Sequence, residues 1–163
     1  MRGLLCSAVL LVLLVCSIDC VEEFQVIFSG EAVAGQLMTR KQTAAQPSIA
    51  APSLSATGSD KYTVLMFDPD APSPESPTCK SWLHWMLVDA SGSHLTGGTD
   101  VEGYAPPTPP IGVHTYHVAL YKQSSGLAGS VSAPSSRCKF SPSGFAADHG
   151  LEMVSEKTFR VSA

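Results

Sequence analysis

Short apolar runs, cut by proline and glycine, carry most of the pattern in this chain. Phe24–Phe28, FQVIF, is aromatic and β-branched and predicts a strand. Tyr62–Phe67, YTVLMF, is an apolar run of strand length and predicts a central core strand. Trp82–Val88, WLHWMLV, and His114–Tyr121, HTYHVALY, predict two more. The stretch after Phe67, DPDAPSPESP, ends its strand sharply, because proline removes a ladder donor and Asp-Pro favours a turn. Ser91-Gly92-Ser93 reads as a turn. Gly97-Gly98 and the prolines from Pro106 to Pro110 mark a long irregular connection. Residues 30–59, rich in Ala, Ser, Gly, Thr and Pro, read as a loop with room for two brief strands, and 124–136 read as loop.

Helix signal is confined to the last part. Ser141 is an N-cap candidate, Pro142 suits a first helical turn, and Gly150 is the expected stop. Lys157–Val161 predicts a closing strand. Several short strands with one short helix argue for a mainly β, sandwich-like architecture, and 163 residues suit one domain.

The N-terminus follows a different pattern. Met1-Arg2 supplies a positive start, Leu4–Val15 is almost wholly apolar, and Ser17–Cys20 is small and polar, the layout of a secretory signal peptide. That apolar core falls short of the roughly 20 residues a membrane span needs. Residues 1–20 are therefore expected to be removed, with cleavage after Ser17 or after Cys20, leaving 21–163 as a single secreted domain with no transmembrane segment. Of five cysteines, Cys79 and Cys138 remain in the body. In an oxidising compartment they either pair or stay as two buried thiols, and sequence alone supplies no Cα distance to decide. The chain has no asparagine, hence no N-glycosylation acceptor.

A net charge of −4 without runs of like charge gives no footprint for nucleic acid. Candidate chemistry sits at strand ends: Asp68 and Asp70, His84, and His114 with Tyr116. On a strand His114 and Tyr116 share a face while His117 points away, so the HxxH pattern cannot chelate a metal. Asp68, His84 and His114 would supply three ligands but lack the dense spacing of zinc motifs, and no metal or other cofactor is expected. No GxSxG elbow occurs, and Cys79 and His84, five apart, would fall on opposite faces of a strand, so no catalytic device is expected. The set suits an anion pocket instead. Imidazole N–H and phenol O–H groups donate, an Asp beside an imidazole favours its cationic form, and the prolines at 106–110 form a stiff wall.

Residues 62–74, YTVLMFDPDAPSP, resemble the first signature of the phosphatidylethanolamine-binding proteins. Trp82 and His84 before an apolar strand, then Pro109-Pro110, Gly112, His114, Tyr116 and Tyr121-Lys122-Gln123, resemble the blocks that follow, and RCKFSPSGFAADHGL resembles the family's late segment. The resemblance implies a large antiparallel sheet packed on a smaller one with C-terminal helical structure. It implies a pocket for phosphoethanolamine-like headgroups or other small anions, formed by Asp68, His84, Pro110, His114 and Tyr116 with Trp82 as a wall. It also implies a second role, since family members inhibit kinases inside cells and some inhibit serine proteases; for an exported chain the target would be a protease or a cell-surface partner. Thr115 stands where arginine is usual, Cys79 where a bulkier residue is common, and Phe159 where some animal members have tyrosine.

Overall fold

The computed structural model describes residues 24–54 and 60–163. The signal segment 1–20, with both cleavage sites and Cys6, Cys16 and Cys20, lies outside the described residues.

Among the described residues nine strands form two sheets. In the smaller, β1 (Gln25–Phe28) lies between β2 (Glu31–Ala32) and β4 (Ser48–Ala50). The larger contains β3 (Leu37–Met38), β5 (Lys61–Asp68), β6 (Trp82–Ala90), β7 (Thr99–Glu102), β8 (Val113–Gln123) and β9 (Glu152–Ser162), in the order β3-β9-β8-β5-β6-β7. This is the mainly β fold expected, with one short α-helix among the described residues, α1 (Pro142–Asp148). Every pairing of the large sheet is antiparallel except β3 against β9, which is parallel. The described part of the loop expected at 30–59 holds three brief strands rather than two. The closing strand starts at Glu152, five residues earlier than predicted, because β8 pairs with it along nearly its whole length.

Strand periodicity explains the near-continuous apolar runs. Tyr62, Val64 and Met66 of β5 face the small sheet, where they join Phe24, Val26, Phe28, Tyr116, Val118, Leu120 and Phe159 in the main core. Leu65 faces the opposite side and packs with Leu83, Met86, Val88, Ala119, Tyr121 and Ala146 of α1. The large sheet is thus covered on both faces, which calls for apolar residues at successive positions. The helix begins as its sequence dictates: the Ser141 hydroxyl accepts from Gly144 N at 3.1 Å, and Pro142 opens the first turn. His149 caps the end, and Gly150 turns the chain away at φ +59°.

One irregularity aims a functional side chain. Met66 pairs with Trp85 and Phe67 with Leu83, so His84 is an extra residue in β6, a β-bulge. Trp85 lies in the main core and Leu83 on the opposite face, while His84 is turned into the cavity described next.

Candidate functional site

Asp68, Trp82, His84, Pro110, His114 and Tyr116 all line one cavity of about 420 Å³. It opens where β5 ends and where β6 and β8 begin. All six residues singled out from the sequence therefore stand together. His117 lies on the other face of β8, stacked on Phe67 at 5.2 Å and 3.1 Å from Glu156.

Asp68 and His114 form the floor. His114 Nδ1 donates to Asp68 Oδ2 at 2.7 Å, and Nε2 stands 3.0 Å from the Ile111 carbonyl. Both ring nitrogens face acceptors inside the protein, so neither is left for a ligand. Asp68 Oδ1 accepts from Asp70 N at 2.8 Å, and Asp70 Oδ2 accepts from Thr115 N at 2.7 Å. This chain of bonds ties the end of β5 to the start of β8, so the backbone of Thr115, not its side chain, serves the site. Burial pushes the Asp68 carboxyl above its ordinary value, against the hydrogen bonds from His114 and Asp70.

His84 has a different environment. Its Nδ1 donates to the Ala105 carbonyl at 2.7 Å, and Ala105 N donates back to the His84 carbonyl at 2.8 Å. Burial lowers its pKa from 6.5 to about 4; the Ala105 bond opposes this, and the charges of Arg137 and His114 add to it. The cationic imidazole expected for an anion pocket is thus absent at His84, because no carboxylate pairs with it and little water reaches it. Tyr116 meets His84 edge to face at 5.0 Å and stacks on Phe159 at 5.3 Å. Burial pushes its phenol well above the ordinary range, so it stays an O–H donor. Phe159, where a tyrosine was noted as an alternative, serves here as the apolar backing of that ring.

Cys79 corrects one sequence reading and decides between two alternatives that another left open. It precedes β6 rather than lying on it, so it lines the same cavity as His84 instead of an opposite face. It is also bonded to Cys138, with Cα atoms 4.8 Å apart, which fits a disulfide and removes any nucleophilic thiol. Among the described residues no group of three His, Cys, Asp or Glu side chains is placed to hold a metal ion, and no helix is long and apolar enough to cross a membrane.

Two arginines that shape the site were missed. Arg137 lies 5.2 Å over the Trp82 ring and donates to the carbonyls of Leu83 at 3.0 Å, His84 at 2.9 Å and Gly103 at 2.7 Å, besides pairing with Glu102. Its only signal was its place in the RCKF block. Arg40 donates to Pro109 O at 2.6 Å and to Ser162 O at 3.4 Å, pinning the proline wall to the end of β9. Nothing in the local sequence around Arg40 signals that role.

A family model described as phosphatidylethanolamine-binding protein matches residues 25–158. Among relatives, Protein MOTHER of FT and TFL1 homolog 2 of Oryza sativa subsp. japonica is 37% identical over 100 residues, 60% of this chain and 58% of its own length. A 26 kDa secreted antigen of Toxocara canis is 34% identical over 95 residues, 57% of this chain and 35% of its own. The chain thus spans about three-fifths of the length of the first of these relatives and about a third of the second. Among solved structures, carboxypeptidase Y inhibitor, determined in complex with its cognate proteinase, superposes with a TM-score of 0.74 at 19% identity, over 86% of this chain and 82% of that one. That likeness is one of fold.

Proposed function

This chain belongs to the phosphatidylethanolamine-binding protein family. From that premise we propose that it is a secreted, non-enzymatic binding protein whose pocket takes a phosphate-bearing headgroup, phosphoethanolamine-like, or another small anion. The observation that carries this reading is the convergence of Tyr116 and His84 on one partly enclosed cavity above the Asp68–His114 pair. Apolar walls from Trp82, Ala71, Pro72, Pro106 and Pro110 limit water around whatever binds, which strengthens each hydrogen bond made there. Export is supported by the signal-like segment 1–20 and by the likeness to a secreted antigen.

Calorimetric titration of phosphoethanolamine into the purified protein tests the pocket. Binding is expected, weakened at least tenfold by His84→Ala and by Tyr116→Phe. Absence of binding, or indifference to both substitutions, removes the reading.

A second reading, modulation of an extracellular protease or a cell-surface partner, is supported by the fold shared with the carboxypeptidase Y inhibitor. Protease inhibition assayed with wild type and the same two variants separates the readings: inhibition that survives both substitutions belongs to a surface other than the pocket.

A further inference from the structure

A separate cavity of about 610 Å³ opens farther along β6, in the gap between the two sheets. It shares no lining residue with the strand-end cavity. Its floor is apolar and buried: Ile49 of β4, Trp85 and Leu87 of β6, and Leu95 of the turn after β6. Gln46, His94 and Asp100 stand exposed at its rim. Backbone bonds hold the walls. Ala51 N donates to Ser93 O at 2.8 Å, tying the small sheet to the turn, and Ser91 and Thr96 exchange bonds of 3.2 and 3.0 Å across it. The Gly97-Gly98 pair closes one side. A Cβ at Gly98 would stand 2.5 Å from the Val88 carbonyl oxygen and 2.9 Å from Leu87 Cδ1, so only glycine lets the chain lie that close to β6.

One carboxylate sets the chemistry of this space. Asp100 of β7 pairs with Leu87 of β6, so its side chain shares the face of Leu87 and turns toward the small sheet. Trp85 Nε1 donates to Asp100 Oδ1 at 2.6 Å, which orients the carboxylate and leaves Oδ2 without a partner among the described residues. No described Lys, Arg or His forms an ion pair with Asp100, and no described lysine or arginine lines the cavity. The Gln46 amide on the same rim also has no hydrogen-bond partner among the described residues.

A carboxylate above an apolar floor complements a cation with an apolar body. An ammonium would donate to Asp100 Oδ2 and to the Gln46 amide oxygen, in a partly enclosed setting that strengthens charge-assisted bonds. An anionic ligand would meet like charge, and a neutral one would leave the Asp100 charge unmatched. We propose that this cleft binds a primary amine with a compact apolar body, its ammonium on Asp100 and its body against Ile49, Leu87 and Leu95. The inference is independent of the headgroup reading of the strand-end cavity. An inward-facing charge on an edge strand such as β7 also deters pairing with other chains, a role that needs no ligand and carries no preference for amines.

The two tryptophans separate the cavities, since Trp82 lines the strand-end one and Trp85 this one. The test is NMR titration of the isotope-labelled full chain, with calorimetry beside it. The probes are phenethylamine, its neutral isostere 2-phenylethanol and the anion 3-phenylpropionate, all at pH 7. Phenethylamine is expected to move the Trp85 indole N–H resonance and to bind about tenfold or more tightly than the other two. Asp100→Asn keeps an acceptor for that N–H but removes the charge, and should bring phenethylamine down to the level of 2-phenylethanol. The urea midpoint of the variant reports whether it is folded. The three-probe comparison is made on the wild-type chain, so it decides even where the variant fails to fold. Equal affinities for amine and alcohol, or a moved Trp82 resonance with Trp85 still, overturns the proposal. Amine binding that survives Asp100→Asn, or no amine binding at all, overturns it too and leaves Asp100 as a guard of the strand edge. None of these outcomes bears on the phosphoethanolamine titration.

Discussion

The guanidinium of Arg137 lies 5.2 Å over the Trp82 ring while its nitrogens bond the carbonyls of Leu83, His84 and Gly103. One side chain thus holds the first residues of β6, the bulge at His84 and the segment entering the proline wall. Lysine cannot reproduce that fork, since it offers a single ammonium where arginine offers a planar set of donors. Arg137→Lys is expected to cost about 2 kcal/mol in urea unfolding, from carbonyls left without partners. Trp82 emission should shift as its covering cation leaves, and phosphoethanolamine affinity should fall with it. Unchanged stability and unchanged emission would deny Arg137 this positioning role.

The pair beneath the cavity is a stronger test of the fold. His114 and Asp68 side chains are 0% and 4% exposed and 2.7 Å apart. Removing one member of a buried pair leaves the other without its partner, typically at a cost of about 3 kcal/mol or more. Asp68→Asn should therefore lower the unfolding free energy by about 3 kcal/mol. The double variant Asp68→Asn, His114→Phe should recover part of it, because no imidazole then remains to be satisfied. A single-variant loss below about 1 kcal/mol would show that the pair is dispensable.

His84 makes stability depend on pH in a defined window. Its pKa is about 4 when folded, against an ordinary value of 6.5. Between those values the unfolded chain binds a proton that the folded one does not. Stability therefore rises with pH across the window and is lost as pH falls from 6.5 toward 4. The full effect is about 3 kcal/mol. Asp68, pushed up by burial, acts in the opposite sense near the bottom of the window, so the informative quantity is the difference between wild type and His84→Gln. Urea unfolding at pH 7 and 4.5 should show a smaller loss of stability on acidification in His84→Gln than in wild type. Equal slopes for the two proteins would place the titration elsewhere.

The parts of the fold legible in the sequence are those where burial wrote a pattern. Tyr62–Phe67 and Trp82–Val88 are apolar but for Thr63 and His84 because both faces of the large sheet are covered. Period two put His114 and Tyr116 on one face and His117 on the other. The edges carry no such mark. Glu152–Glu156, EMVSE, is mostly exposed with no alternation of buried and exposed positions, and its strand state comes from pairing with β8. The aim of His84 depends on a bulge that nothing in WLHWMLV declares. Arg40 reaches Pro109 and Ser162 across 69 and 122 residues of chain, separations over which local pattern is silent. Which imidazole the Asp would hold was not legible for a related reason: Asp68 pairs with His114, while His84 is oriented by a backbone carbonyl, which no side-chain identity reveals.

Cys79 and Cys138 close a loop of 59 residues, and both ends of that loop serve the cavity. Cys79 lines it, and Cys138 follows the arginine that holds Trp82 and the His84 carbonyl. Backbone bonds run alongside the disulfide, from Lys139 N to Cys79 O at 3.4 Å and from Phe140 N to Ser81 O at 3.0 Å, so the two segments stay adjacent only as long as this patch holds. A cross-link over that length limits the unfolded chain and should add roughly 2–4 kcal/mol of stability. Under non-reducing conditions a digest should yield the Cys79 and Cys138 peptides joined, and reduction should separate them. Cys79→Ser with Cys138→Ser is expected to lower the urea midpoint and, by loosening the Arg137 segment, to weaken phosphoethanolamine binding as well. A normal midpoint with weakened binding would assign the disulfide to the cavity rim alone. A lowered midpoint with normal binding would assign it to stability alone. Separate peptides in the non-reduced digest would mean the bond does not form.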